Sequence, residues 1–136
     1  MIDGAIGTLI QQNHFGEADY RGERFATHTT DLKNNNEVLM LSRPDVIEAI
    51  HTDYLEAGAD ILETNTFNAN AVSLADYDLV SYAREMNLVG AQVARSAVDA
   101  ALRRDPSRPR WVAGYSGPAR DLPPSSSMSR APPTAA

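Results

Sequence analysis

The segment Ala57–Asn68, AGADILETNTFN, places a short apolar pair, Ile61-Leu62, after a predicted helix and directly before a crowd of polar side chains. A short apolar run in this position is typical of a buried strand in a parallel sheet. Ligand sites of parallel α/β proteins form at the carboxyl ends of the strands. The segment therefore predicts a buried strand with a candidate site at its end, over Glu63–Thr66.

Upstream of this strand, residues 42–58 have the pattern of an amphipathic helix. Ser42 is a suitable N-cap, Pro44 suits the first turn, and Gly58 is suited to end the helix. Apolar side chains recur at helical spacing and predict one buried face, made of Val46, Ile47, Ile50, Tyr54 and Leu55.

Downstream, a second helical region is predicted from Ala71 to Arg104, with a break at Asp76–Asp78 near its start. Pro106 stops this helix, because proline has no backbone N–H to continue the ladder. A further strand is predicted at Trp111–Gly114.

The chain opens on a strand stub and a glycine turn, Asp3-Gly4-Ala5-Ile6-Gly7-Thr8, followed by the start of a short helix at Leu9. The order is then strand, helix, strand, helix, strand. This alternation predicts parallel βαβ units and the α/β class.

Two segments lack such a pattern. Residues 13–41 are polar and irregular, and a loop of that length is usually functional or disordered. Residues 121–136 are rich in proline, serine and alanine and have almost no core residues, which predicts a disordered tail.

Composition excludes several classes of function. The 136 residues carry a formal net charge of -6 without a basic block, which argues against nucleic acid or an anionic membrane as a partner. The chain has no cysteine, so disulfides, thiolate chemistry and cysteine zinc sites are excluded. His14, His28 and His51 are far apart and are interpreted as surface or packing residues. No signal peptide or apolar span is present, which predicts a cytoplasmic location.

Two strand ends carry the candidate residues. Asp3 could pair with a ligand ammonium, and backbone N–H groups exposed by glycines can hold a carboxylate. An ordinary turn is the alternative there. At the second strand end the alternative is helix capping by Thr66, Asn68 or Asn70. Dinucleotide and Walker glycine motifs are missing, and the serines cluster in the tail, where no scaffold would hold a nucleophile.

These strand ends and their surroundings resemble the homocysteine-binding domain of cobalamin-dependent methionine synthases over residues 2–118. The matching strings include DGAIGTLIQ at residues 3–11, YRGERF at 20–25, DLKNNN at 31–36, PDVIEAIH at 44–51 and AGADILETNTFN at 57–68. The shorter strings ADY at 75–77 and VAG at 112–114 complete the set.

The resemblance implies a (β/α)8 barrel, of which this chain supplies roughly the first three βα units. It implies a partial homocysteine-binding domain over residues 1–118 and a tail over 119–136. In the family, zinc held by three cysteines binds homocysteine as a thiolate, and methylcobalamin on a separate module donates the methyl group. A further module recharges the cobalamin from a folate.

Carried over by resemblance, Asp3 and Gly4 would lie at the homocysteine amino group, with Thr8 as a further substrate-binding candidate. Glu63, Thr64, Asn65 and Thr66 would line the amino-acid end of the pocket.

The chain departs from the family pattern in two ways. It has no cysteine, so neither zinc nor cobalamin is expected to bind the chain. The chain is also expected to contain no catalytic or metal-binding residue and to be inactive on its own. The pattern is lost abruptly near residues 115–120, which predicts a truncation or a frameshift, with a natural linker as the alternative.

Three other functions stay open. One is a cobalamin-independent homocysteine methyltransferase, although the extended Tyr20–Asn36 loop favours the cobalamin-dependent type. The others are a metal-free amino-acid-binding module and a product without function.

Overall fold

The computed structural model describes residues 1–115, and the predicted tail at 119–136 lies outside them. Two short 3₁₀ turns, Asn36–Val38 and Val80–Tyr82, accompany the longer elements. The helices are α1 (Ile6–Gln11), α2 (Glu17–Arg21), α3 (Leu39–Ser42), α4 (Pro44–Glu56), α5 (Ala71–Ala75) and α6 (Ala83–Arg104), and the strands are β1 (Ile61–Glu63) and β2 (Trp111–Ala113).

The two strands pair in parallel, with Ile61 opposite Trp111 and Glu63 opposite Ala113. On the other side of β1, Ile2 forms a single parallel bridge to Ile61, and the Asp3 N–H donates to the Ile61 carbonyl at 3.0 Å. Two of the three predicted strands, their parallel order and the α/β class are thus confirmed, whereas the predicted first strand is reduced to the single bridge at Ile2. The full barrel stays a prediction, because the described residues form only this part of a sheet.

Helices α4 and α6 pack side by side against one face of the sheet. A small apolar cluster joins them to the strands, made of Leu55, Leu62, Ala97, Val98 and Ala101. A larger cluster lies beyond it and takes in residues from Ile6 to Val93. The core therefore packs against one face of β1, and the carboxyl end of this strand lies outside the core, where a ligand site can form.

The start of α4 differs from the prediction. Ser42 is not its N-cap: it is the last residue of α3, and its hydroxyl donates to the Val38 carbonyl at 3.2 Å. Arg43 occupies the cap position without a side-chain hydrogen bond, and Pro44 begins the helix as expected. Gly58 follows the helix with φ of 109°, a left-handed conformation that glycine adopts at low cost.

The second helical region is broken where the sequence indicates. α5 ends at Ala75, Asp78 adopts a positive φ of 54°, and α6 begins only at Ala83. A turn therefore separates a short helix from the 22-residue helix that packs on the sheet.

The prediction that residues 13–41 form an irregular loop is wrong for much of the segment. It contains α2, and its side chains Tyr20, Phe25, Leu32 and Met40 are buried in the larger cluster. These apolar residues do not recur at a regular spacing, because the segment contains no continuous helix or strand. Polar contacts hold most of it in place.

Glu17 and Arg21 provide those contacts. The Glu17 carboxylate accepts the N–H groups of Leu32 at 2.6 Å and Lys33 at 2.7 Å, and pairs with Arg21 at 2.8 Å. Arg21 in turn donates to backbone carbonyls at Phe25 and His28. The segment is therefore folded around one partly buried ion pair.

Candidate functional site

A cavity of about 450 Å³ opens at the carboxyl end of β1. Four segments meet around it: the turn at residues 3–7, the Asn36-Glu37 pair, the polar segment after β1, and Tyr115 after β2. Among residues 1–115, its lining contains three carboxylates, Asp3, Glu37 and Glu63, and no lysine, arginine or histidine. A cavity of this charge favours a ligand with a cationic group.

Asp3 has an unsatisfied oxygen in this cavity. The residue is only 8% exposed, its Oδ1 accepts the Glu63 N–H at 3.1 Å, and its Oδ2 has no hydrogen-bond partner among the described residues. Burial raises the pKa of Asp3 to about 6, and the Glu63 charge adds to this, while the hydrogen bond from the Glu63 backbone opposes it. Such an oxygen needs a donor, which a ligand can supply.

Gly4 also lines the cavity, and the space next to it is too small for a larger side chain. A Cβ at this position would stand 3.0 Å from the Tyr54 hydroxyl oxygen. Tyr54 of α4 donates that hydroxyl to the Ala5 carbonyl at 3.3 Å. The absence of a side chain thus lets α4 support the turn that carries Asp3.

Thr64 and Thr66 join the ends of the two strands. The Tyr115 N–H donates to Thr64 Oγ1 at 3.0 Å, Thr66 Oγ1 donates to the Tyr115 carbonyl, and the two threonine hydroxyls lie 2.6 Å apart. Because Thr66 gives its single hydroxyl proton to Tyr115, Thr64 must be the donor between the two hydroxyls. Both protons are used within the protein.

The other predicted site residues divide into two groups. Glu63 and Asn65 line the cavity, and the Asn65 side-chain amide donates to the Asn36 carbonyl at 3.0 Å. Thr66 is buried on the far side of the strand ends, and Thr8 is an exposed residue of α1, so neither lines the cavity. The helix-capping alternative holds for Asn70, whose Oδ1 accepts the Ser73 N–H at 2.9 Å.

Sequence reasoning missed the wall formed by Asn36 and Glu37. Glu37 is 5% exposed, and its Oε1 accepts the Asn68 N–H at 3.1 Å. Burial raises the pKa of its carboxyl group. The asparagine run before it indicated only a turn, and no local signal showed that this turn meets the strand ends.

An aromatic pair at the cavity was also missed. The rings of Phe67 and Tyr115 have centroids 5.0 Å apart, and both side chains are partly exposed. They follow β1 and β2, so only the pairing of the two strands brings them together.

The described residues thus form an α/β fold with an acidic cavity at the carboxyl ends of its parallel strands. The chain belongs to the homocysteine S-methyltransferase family, whose model matches residues 1–134.

Two solved structures similar to the chain are of the homocysteine methyltransferase MmuM from Escherichia coli. The metallated form aligns with a TM-score of 0.67 and 24% identity, and the oxidized form with a TM-score of 0.66 and 24% identity. The alignments cover 87% and 86% of this chain, but only 37% and 36% of those chains. The chain therefore shares the fold of part of these proteins and spans little more than a third of their length.

Two further properties concern metals and membranes. Within residues 1–115, no group of three or more histidine, cysteine, aspartate or glutamate side chains is arranged to hold a metal ion. In the same part of the chain, no helix is both long and apolar enough to cross a membrane.

Proposed function

We propose that the chain is the N-terminal part of a homocysteine-binding domain of the cobalamin-dependent methionine synthase type, and that its cavity holds the amino-acid end of homocysteine. Family membership supports the class of reaction, which is methyl transfer to the homocysteine sulfur. The packed segment 13–41 supports the cobalamin-dependent type, because it extends through the family-like strings at 20–25 and 31–36 and supplies the Asn36-Glu37 wall.

The unsatisfied Asp3 Oδ2 carries this proposal. It lies in a cavity to which the described part of the chain contributes no cationic side chain, so a ligand ammonium would give it both a donor and a countercharge. Backbone N–H groups of the glycine turn are suited to the ligand carboxylate. The sulfur would then point away from these groups, toward the ligands of the family's zinc.

The residues present do not fit that zinc site. Homocysteine thiolate is expected to bind zinc held by three cysteines, and the chain contains none. The zinc ligands, the cobalamin module and the folate module would therefore have to come from further polypeptide. We expect the chain alone to bind the amino acid without transferring a methyl group.

Calorimetric titration of the full chain with L-homocysteine tests the binding step. Wild type is expected to bind, and Asp3→Asn to bind at least about ten-fold more weakly, because a charge-assisted hydrogen bond is lost. Asp53→Asn is the matched control, since Asp53 is an exposed carboxylate of α4 outside the cavity. Equal affinities for wild type and Asp3→Asn would contradict the proposal.

A metal-free amino-acid-binding module is the second candidate function. The observation in its favour is that the cavity forms without any cysteine. Titration with methionine tests this candidate, because a module that does not use the thiol binds methionine and homocysteine equally. A clear preference of the chain for homocysteine would contradict it. Tight stoichiometric zinc binding with methyl transfer by the chain alone would contradict both.

A further inference from the structure

Glu37 reaches the cavity from a part of the chain separate from both strand ends. It follows Asn35, whose Oδ1 accepts the Val38 N–H at 3.0 Å and so caps the 3₁₀ turn. The turn is also tied to the segment after β1, because the Asn36 carbonyl accepts from Asn65 at 3.0 Å. The position of Glu37 is therefore fixed by two segments, the 3₁₀ turn and the segment after β1.

The Glu37 carboxylate is buried in the wall of the cavity and is only 5% exposed. Its side-chain and backbone hydrogen bonds come from neutral groups, chiefly Asn68, whose N–H donates to Oε1 at 3.1 Å. No described lysine, arginine or histidine lies within salt-bridge distance of it. A buried carboxylate without a countercharge is costly even when neutral groups hydrogen-bond to it, and a cationic ligand would offset that cost.

We propose that Glu37 is a second ammonium-binding carboxylate of the cavity, which acts with Asp3 to select ligands that carry a primary amine. This rests on the proposed function and adds a residue to the same site. An ammonium group has three N–H donors, so two carboxylates on different walls can share it and still leave one donor. The selection is by charge, and neither Asp3 nor Glu37 is expected to increase the affinity for a ligand without the ammonium.

The test uses three thiols that differ only in their charged groups. L-Homocysteine has both groups, 4-sulfanylbutanoate lacks the ammonium, and 3-sulfanylpropan-1-amine lacks the carboxylate. Each is titrated into the full chain as wild type, Glu37→Gln and Asp76→Asn. Gln keeps an oxygen for the Asn68 N–H, and Asp76→Asn removes the same charge from an exposed residue of the neighbouring cavity.

Glu37→Gln is expected to weaken the binding of homocysteine and of the amine by at least about ten-fold, and to leave 4-sulfanylbutanoate within about two-fold. Asp76→Asn is expected to match wild type for all three ligands. Thermal melts of each variant verify folding, and the ratio between ligands is read within one variant, so a loss of stability cannot imitate the result.

Glu37→Gln binding homocysteine within about two-fold of wild type would overturn the role of Glu37 and leave the proposed function standing. A wild type that binds 3-sulfanylpropan-1-amine in a Glu37-dependent way, but does not bind homocysteine, would overturn the proposed function and leave Glu37 as an ammonium-binding residue. Binding of none of the three would overturn both.

Discussion

The ligand role proposed for Asp3 is opposed to its effect on stability. The folded pKa of Asp3, about 6, lies above the ordinary value of 3.8, so the native state binds more protons than the unfolded state between these values. Stability from this group is full below pH 3.8 and is lost as pH rises through 6. At pH 7 the ionised carboxylate is therefore a cost to the empty protein.

We expect Asp3→Asn to stabilise the ligand-free chain at pH 7 by about 2 kcal/mol, since the amide oxygen can still accept the Glu63 N–H. Urea unfolding at pH 7 and pH 4 measures this, and the gain is expected to shrink at pH 4. Equal destabilisation at both values would show that Asp3 supports the fold rather than a ligand.

The pKa of His51 is shifted in the opposite direction, and its effect on stability has the opposite pH dependence. It is fully buried in α4, neither ring nitrogen has a hydrogen-bond partner, and burial lowers its pKa from 6.5 to about 4. The unfolded state binds the extra proton, so stability is full above pH 6.5 and is lost as pH falls toward 4.

The expected loss between pH 7 and pH 4 is about 3 kcal/mol from His51. His51→Leu removes the titrating ring and is expected to flatten this part of the stability profile, as measured by chemical unfolding at a series of pH values. His14→Asn replaces an exposed histidine and serves as the control. A profile that keeps its slope in His51→Leu would contradict the assignment.

At the scale of elements, the approach of α6 to the strand ends depends on Gly90. A Cβ there would lie 2.6 Å from Thr66 Cγ2 and 2.7 Å from Met40 Sδ. Alanine normally stabilises a helix interior by up to about 1 kcal/mol relative to glycine. Here the overpacking is expected to cost about 1–3 kcal/mol and to outweigh that gain.

Gly90→Ala is therefore expected to lower the free energy of unfolding and to displace Thr66, which alters the bond to Tyr115. Thermal unfolding measures the first effect, and the amide chemical shift of Tyr115 measures the second. Gln92→Ala, on the exposed face of α6, is expected to do neither. A more stable Gly90→Ala would mean that α6 can move away from the strand ends.

The Glu17–Arg21 pair stabilises the segment before α3. Burial alone would raise the Glu17 pKa, but the N–H groups of Leu32 and Lys33 and the Arg21 charge together lower it. Glu17→Ala is expected to cost about 1–3 kcal/mol, because two backbone donors and an arginine lose their acceptor. Hydrogen exchange should accelerate at Leu32 and Lys33. Glu23→Ala, at an exposed position, is the control and is expected to leave exchange there unchanged.

At the scale of the whole molecule, the sequence predicted what local pattern determines. The faces of α4 and α6, the strand at Ile61 and the break near Asp78 all follow from periodicity and turn chemistry. For the cavity, the sequence indicated the residues at the strand ends but not those contributed by other segments. Asp3 and Glu63 stand at strand ends, where topology places ligands, whereas Glu37 and Tyr115 meet them through contacts between distant segments, which no local pattern encodes.

One face of the sheet remains apolar and exposed. Ile2 and Trp111 flank Ile61 in register, so their side chains form a row across the strands, and they are 52% and 54% exposed. We expect the chain to associate as its concentration rises, and Trp111→Thr to reduce this association. Sedimentation velocity at several concentrations measures it, with Leu88→Thr on exposed α6 as the control. Equal association by both variants would contradict a role for the row.

Trp111 is also the only tryptophan of the chain, and it stands at the end of β2 opposite the cavity. Its fluorescence is a built-in optical reporter for the docking of β2, because no other residue of the chain contributes indole emission. The assembly of the sheet can therefore be followed without any attached dye, at the end of the strand away from the cavity.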